Sequence, residues 1–161
     1  MPASVYIESS IISYLTSRPS RDVVKAGRQA ITSDWWLNSK SRYEVYISAL
    51  VEEEISGGDP IAADKRLQAV ADIPSILITS DAQLLADALA ASKAVPENSV
   101  RDTLHIAIAA TQGIDYLLTW NFKHINNAET KTLIARVIEK EGWVCPVLCS
   151  PEELGENNEE G

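Results

Sequence analysis

Short apolar runs at 4–7, 45–48, 75–78, 116–119 and 143–149 are separated by stretches whose apolar residues recur three and four positions apart. Few architectures accommodate that alternation. Strands covered on both faces read as continuous apolar runs, and helices long enough to act as crossovers join them in parallel. The chain is therefore expected to be an α/β protein with three α/β/α layers and a central, mainly parallel five-stranded sheet. In such a fold ligands bind beyond the carboxyl ends of the strands.

The helical stretches carry their own punctuation. Ile11, Ile12 and Leu15 follow two possible caps, Ser9 and Ser10. After the break at Arg18-Pro19-Ser20, the apolar residues Val23, Val24, Ala30, Ile31, Trp35 and Leu37 fit a helix over 20–39. Leu50, Val51 and Ile55 open a helix that Gly57-Gly58 ends, and Asp59 caps the next with Pro60 at its first position. Further helices are predicted over 81–92, 100–111 and 133–138, the last ended by Gly142.

A chain of 161 residues, 45% hydrophobic and 23% charged, fills one ordinary globular domain. We expect that domain over 1–154 and an acidic, flexible tail over 155–161. No apolar run approaches the roughly 18 residues of a membrane span, and the opening MPASVYIESS lacks the features of a signal peptide, so a soluble cytoplasmic protein is expected. Cys145 and Cys149 make neither a disulfide framework nor a zinc set; on one strand they would share a face as small buried hydrophobes. The net charge of −9 argues against nucleic acid, yet five of the acids lie at 152–161 and residues 1–43 are net basic.

Only polar residues at strand carboxyl ends or neighbouring helix starts can converge on one crevice. Glu8 ends the first strand, Asn121 follows the fourth, and Asp102 lies in the first turn of the helix that enters it. Glu52, Glu53 and Glu54 lie in the helix leaving the second. Glu54 sits beside the stripe of Leu50, Val51 and Ile55, whereas Glu52 and Glu53 point outward. Carboxylates gathered in this way repel one another unless a hard divalent cation such as Mg²⁺ lies between them.

In VYIESSIISYL (5–15), YISALVEEEISGG (46–58), DTLHIAIAA (102–110) and YLLTWNFKHINN (116–127) the chain resembles the PIN-domain ribonucleases, in particular the toxins of VapBC-type toxin-antitoxin pairs. The resemblance implies that Glu8, Glu54 and Asp102 hold Mg²⁺ or Mn²⁺ and that Asn121 completes the catalytic set, with Ser9, Ser48, His105 and Thr119 in support. It further implies an RNA substrate, a cognate antitoxin protein and a homodimer. The family more usually has Asp at the position of Glu8 and often at that of Asn121. Three formal negative charges remain, enough for one tightly held ion. Arg18, Arg21, Lys40 and Lys123 are candidates to grip RNA. His105 is expected to hydrogen-bond, and His124 is given a similar structural role; Trp35, Trp36, Trp120 and Trp143 are expected to pack. A catalytically weak PIN fold serving as a binding or regulatory module is the alternative. A receiver-like signalling domain fits less well, because the first strand ends in a single acid and Thr79-Ser80-Asp81 poorly matches a phosphoacceptor site.

Overall fold

The computed structural model describes residues 2–96 and 99–155. Strands β1 (Ser4–Ile7), β2 (Glu44–Ser48), β3 (Ser75–Ile76), β4 (Tyr116–Leu118) and β5 (Val147–Cys149) form one sheet in the order β3-β2-β1-β4-β5. Every pairing is parallel. The central strand β1 has the longest buried run, Val5, Tyr6 and Ile7, because it lies in the middle of the sheet, paired with β2 and β4 and covered by helices. Edge strand β3 is only two residues long.

Seven α-helices are present among the described residues: α1 (Ser9–Thr16), α2 (Val23–Asn38), α3 (Ala49–Ile55), α4 (Pro60–Ala69), α5 (Ser80–Ser92), α6 (Val100–Thr111) and α7 (Ala128–Lys140). They pack in two groups, α1 with α2, α3 and α4, and α5 with α6 and α7. The grouping follows from handedness. The chain steps outward from β1 to β2 to β3, then returns past β1 to β4, and right-handed crossovers in opposite directions place their helices on opposite faces. The reversal makes β1/β4 the topological switch point. Ile7 is in register with Leu118, so Glu8 and Thr119 leave the carboxyl edge side by side.

Several boundaries differ from the periodicity. Ser9 and Ser10 lie inside the first turn of α1, and the cap position is Glu8, whose side chain makes no capping bond. Helix α2 starts at Val23 because the Asp22 side chain accepts the Lys25 N–H, while the Ser20 hydroxyl accepts that of Asp22. Asn127 caps α7 at Glu129 and Thr130, starting it well before Leu133. The fifth strand begins only at Val147, since Pro146 has no N–H to contribute to a ladder. Cys145 therefore precedes the strand that contains Cys149. Burial pushes their thiols up, to about 11 and about 12, as inert packing groups.

Trp35 and Trp120 are core residues, and Trp36 and Trp143 pack partly buried against the core. Leu154 is buried, and Arg42 donates to the Gly155 carbonyl at 2.6 Å. The rest of the acidic segment, 156–161, lies outside the described residues. Among those described, no helix is long and apolar enough to cross a membrane.

Candidate metal centre

The first carboxylate is Glu8, which is only 6% exposed. Its Oε1 accepts hydrogen bonds from Ser10 Oγ (2.5 Å) and Thr119 Oγ1 (2.6 Å). The first donor comes from the turn that follows β1, and the second from the residue beyond β4 that the register sets beside Glu8. No described residue donates to Oε2, so one oxygen is held and the other keeps its lone pairs.

Glu54, on the inward edge of α3, is arranged in the same way. Its Oε1 accepts from Ser9 Oγ (2.5 Å) and His105 Nε2 (2.8 Å), and Arg101 Nη1 lies 3.5 Å from Oε2. Burial opposes ionisation of Glu54, but bonds from His105 and Ser9 and the Arg101 charge outweigh it and hold its carboxyl below the ordinary 4.5. Glu52 and Glu53 are exposed, and Glu53 pairs with Arg101 at 2.9 Å. One ligand atom from each of Glu8, Glu54 and His105 can be chosen so that all lie within 4.8 Å of one another. Two carboxylates and an imidazole at that spacing form a donor set able to hold a divalent cation.

Behind the cluster runs a buried chain. Tyr6 Oη lies 2.6 Å from His105 Nδ1 and 2.8 Å from Ser48 Oγ, and Ser48 Oγ accepts the Val51 N–H as the cap of α3. Burial above all holds the Tyr6 phenol protonated well above its ordinary 10.0, and the Glu8 and Glu54 charges add to that effect.

Asp102 is placed differently. Its Oδ1 accepts from Asn121 Nδ2 (3.1 Å), and its Oδ2 lies 2.7 Å from His124 Nδ1, which is also 2.9 Å from Ser99 Oγ. Asn121 Oδ1 in turn accepts the His124 N–H at 3.0 Å, closing a compact triangle. Asp102 thus stands outside the Glu8–Glu54–His105 group, with both oxygens occupied. Thr119 joins the two halves, since the hydroxyl that donates to Glu8 also accepts the Asn121 N–H at 2.9 Å.

Of the residues picked from the sequence, Glu8, Glu54, Ser9, His105 and Thr119 are brought into direct contact, and Ser48 reaches them through Tyr6. Asp102 and Asn121 form the adjoining unit. Tyr6, Ser10, Arg101 and His124 carry contacts that periodicity does not single out. For His124 the available signal was Asn121-x-x-His124, the spacing of a side chain that caps the turn three residues on. Among the described residues, none of Arg18, Arg21, Lys40 and Lys123 bonds to the cluster; Lys40 instead lies over the Trp36 ring, 5.0 Å from its centroid.

No protein-family model and no curated protein matches the sequence. Among solved structures, the chain is similar in fold to one titled "Crystal structure of VapBC2 from Rickettsia felis bound to a DNA fragment from their promoter". The TM-score is 0.55 at 14% identity, with 91% of this chain and 98% of that chain covered. At that identity the likeness concerns the fold, a five-stranded parallel sheet between helical layers, consistent with the PIN-like arrangement expected from the sequence.

Proposed function

We propose that the protein is a Mg²⁺- or Mn²⁺-dependent ribonuclease that cleaves RNA phosphodiesters, and that it is the toxin of a type II toxin-antitoxin pair. The observation that carries this reading is the convergence of Glu8 and Glu54 at the switch point of a VapBC2-like fold, each with Oε1 held by two donors; Oε2 has no described donor on Glu8 and faces the Arg101 guanidinium at 3.5 Å on Glu54. Glu8 and Glu54 would hold the ion, with Asp102 as the third carboxylate and Asn121 orienting it. Bound there, such an ion supplies an activated water and stabilises charge on the reacting phosphate.

The protein's own part is preorganisation. Ser10 and Thr119 lock Glu8, and Ser9 and His105 lock Glu54, so neither side chain needs to reorganise when the ion arrives. Arg101, exposed beside Glu54, supplies positive charge at the mouth of an otherwise acidic site, where an RNA phosphate would approach. A cognate antitoxin as partner, a homodimer and a cytoplasmic location belong to the same proposal. A second reading, a catalytically weak PIN-like binding module, draws on Asp102, whose two oxygens are taken by Asn121 and His124.

The test is cleavage of single-stranded and structured RNAs by the purified protein in Mg²⁺ or Mn²⁺. Cleavage should stop in EDTA and be lost in Glu54→Gln and Glu8→Gln. Cleavage that persists in EDTA refutes the metal-dependent mechanism. Metal binding in calorimetry with no cleavage of any RNA favours the binding module.

A further inference from the structure

The chain Ser48–Tyr6–His105–Glu54 admits one arrangement of protons that satisfies every member. Ser48 and Tyr6 are 0% exposed and His105 is 1% exposed, so bulk water does not supply a missing partner. An ionised Glu54 only accepts, so His105 Nε2, 2.8 Å from its Oε1, carries a proton. If the ring is neutral, Nδ1 accepts from Tyr6 O–H, Tyr6 Oη accepts from Ser48 O–H, and Ser48 Oγ accepts the Val51 N–H. Each proton then has an acceptor. If the ring carries two protons, the chain reverses, and the buried Ser48 hydroxyl proton is left with no acceptor among the described residues.

We propose that Tyr6, backed by Ser48, is a positioning residue: its hydroxyl at Nδ1 fixes the His105 ring with the Nε2–H on Glu54, so that His105 clamps Glu54 instead of offering a lone pair to the cation. The geometric set of three donors is then two carboxylate ligands and one carboxylate holder. The role of Tyr6 toward the ion rests on the metal-dependent reading above, whereas its effect on the imidazole does not. Tyr6→Phe would fill the same space yet leave Nδ1 without a donor and the Ser48 hydroxyl proton without its acceptor, while Ser48 Oγ keeps the Val51 N–H. The ring would then be fixed by its Nε2 bond alone, and its hold on Glu54 would loosen.

Two-bond ¹⁵N–¹H correlation spectra of the intact protein without metal, at neutral pH, read the tautomer directly. The expected result is a bare Nδ1 and a protonated Nε2 on His105, with the Nε2 proton retained when Mg²⁺ is added. Tyr6→Phe should keep the proton on Nε2 but move the Nδ1 resonance to that of a nitrogen with no hydrogen bond, and weaken Mn²⁺ binding in calorimetry about tenfold, as loss of a ligand's supporting bond does. Ser48→Ala should shift both readouts in the same direction but less. A protonated Nδ1 in the wild-type protein overturns the proposal, as does loss of the Nε2 proton on adding Mg²⁺, or an unchanged Nδ1 resonance and affinity in Tyr6→Phe. If the Glu8 and Glu54 carboxyl carbons fail to respond to Mg²⁺, the metal reading falls, and the spectrum of the metal-free protein still decides whether Tyr6 sets the imidazole.

Discussion

Replacing Thr119 by valine removes one oxygen and keeps the shape of a residue that is 0% exposed. That oxygen makes two bonds, donating to Glu8 Oε1 at 2.6 Å and accepting the Asn121 N–H at 2.9 Å. A bond to a charged group is worth about 1.5–3 kcal/mol and a neutral one about 1 kcal/mol, so Thr119→Val should cost about 3 kcal/mol. Most of that arises because Glu8, nearly buried, is left with Ser10 as its remaining hydroxyl donor. In a Glu8→Gln background both bonds are neutral, and the same substitution should cost about 2 kcal/mol. Urea unfolding of the four proteins at neutral pH without metal measures both numbers. A Thr119→Val cost below about 0.5 kcal/mol, or the same cost in both backgrounds, would refute the argument that Thr119 orients a charged Glu8.

Three further outcomes are expected. Glu8→Asp keeps the charge but shortens the arm, so it should lower the initial RNA cleavage rate in Mg²⁺, and Glu8→Gln should nearly abolish it; a faster Glu8→Asp enzyme would mean that the surrounding backbone has not adjusted to Glu8. Gly155 has φ +85°, and a Cβ there would lie 2.8 Å from Ser39 Oγ and 3.2 Å from Trp35 Nε1, so Gly155→Ala should destabilise by about 1–2 kcal/mol in urea; no change would mean that this close approach is not maintained in solution. Burial opposes ionisation of Glu153, but bonds from Ser150 and Asn126 and the Lys131 charge hold its carboxyl below 4.5, as Glu54 is held. Because the folded values lie under the unfolded ones, the stability these groups contribute is present above that value and is lost as pH falls through the folded values. Urea midpoints should decline below pH 4.5, and less steeply in Glu153→Gln; an equal slope would deny Glu153 a part.

Much of this architecture is written locally. The apolar runs of β1, β2 and β4, the Asp59-Pro60 start of α4 and the inward edge of α3 all depend on residues within a turn or a strand, where period and cap chemistry act. Local signals misplace β5, where Pro146 shortens the ladder, and the start of α7, where Asn127 caps a turn that lacks an apolar stripe. They place Glu8, Glu54, Asp102 and Asn121 near one crevice but cannot say which pairs touch.

That choice belongs to the tertiary structure. Ser48 and His105 meet Tyr6 across 42 and 99 residues of sequence, and Thr119 meets Glu8 across 111. Such contacts follow from the register of β1 on β2 and β4, a pairing of backbones that side-chain periodicity leaves undetermined along the strand direction. A core tyrosine is an ordinary apolar residue in the pattern of β1. It becomes a hydrogen-bond relay because β2 delivers a serine and α6 a histidine to the two sides of its hydroxyl, out of reach of bulk solvent. The same packing draws Asp102 toward Asn121 and His124, so residues alike in charge and in position along their elements end with different partners.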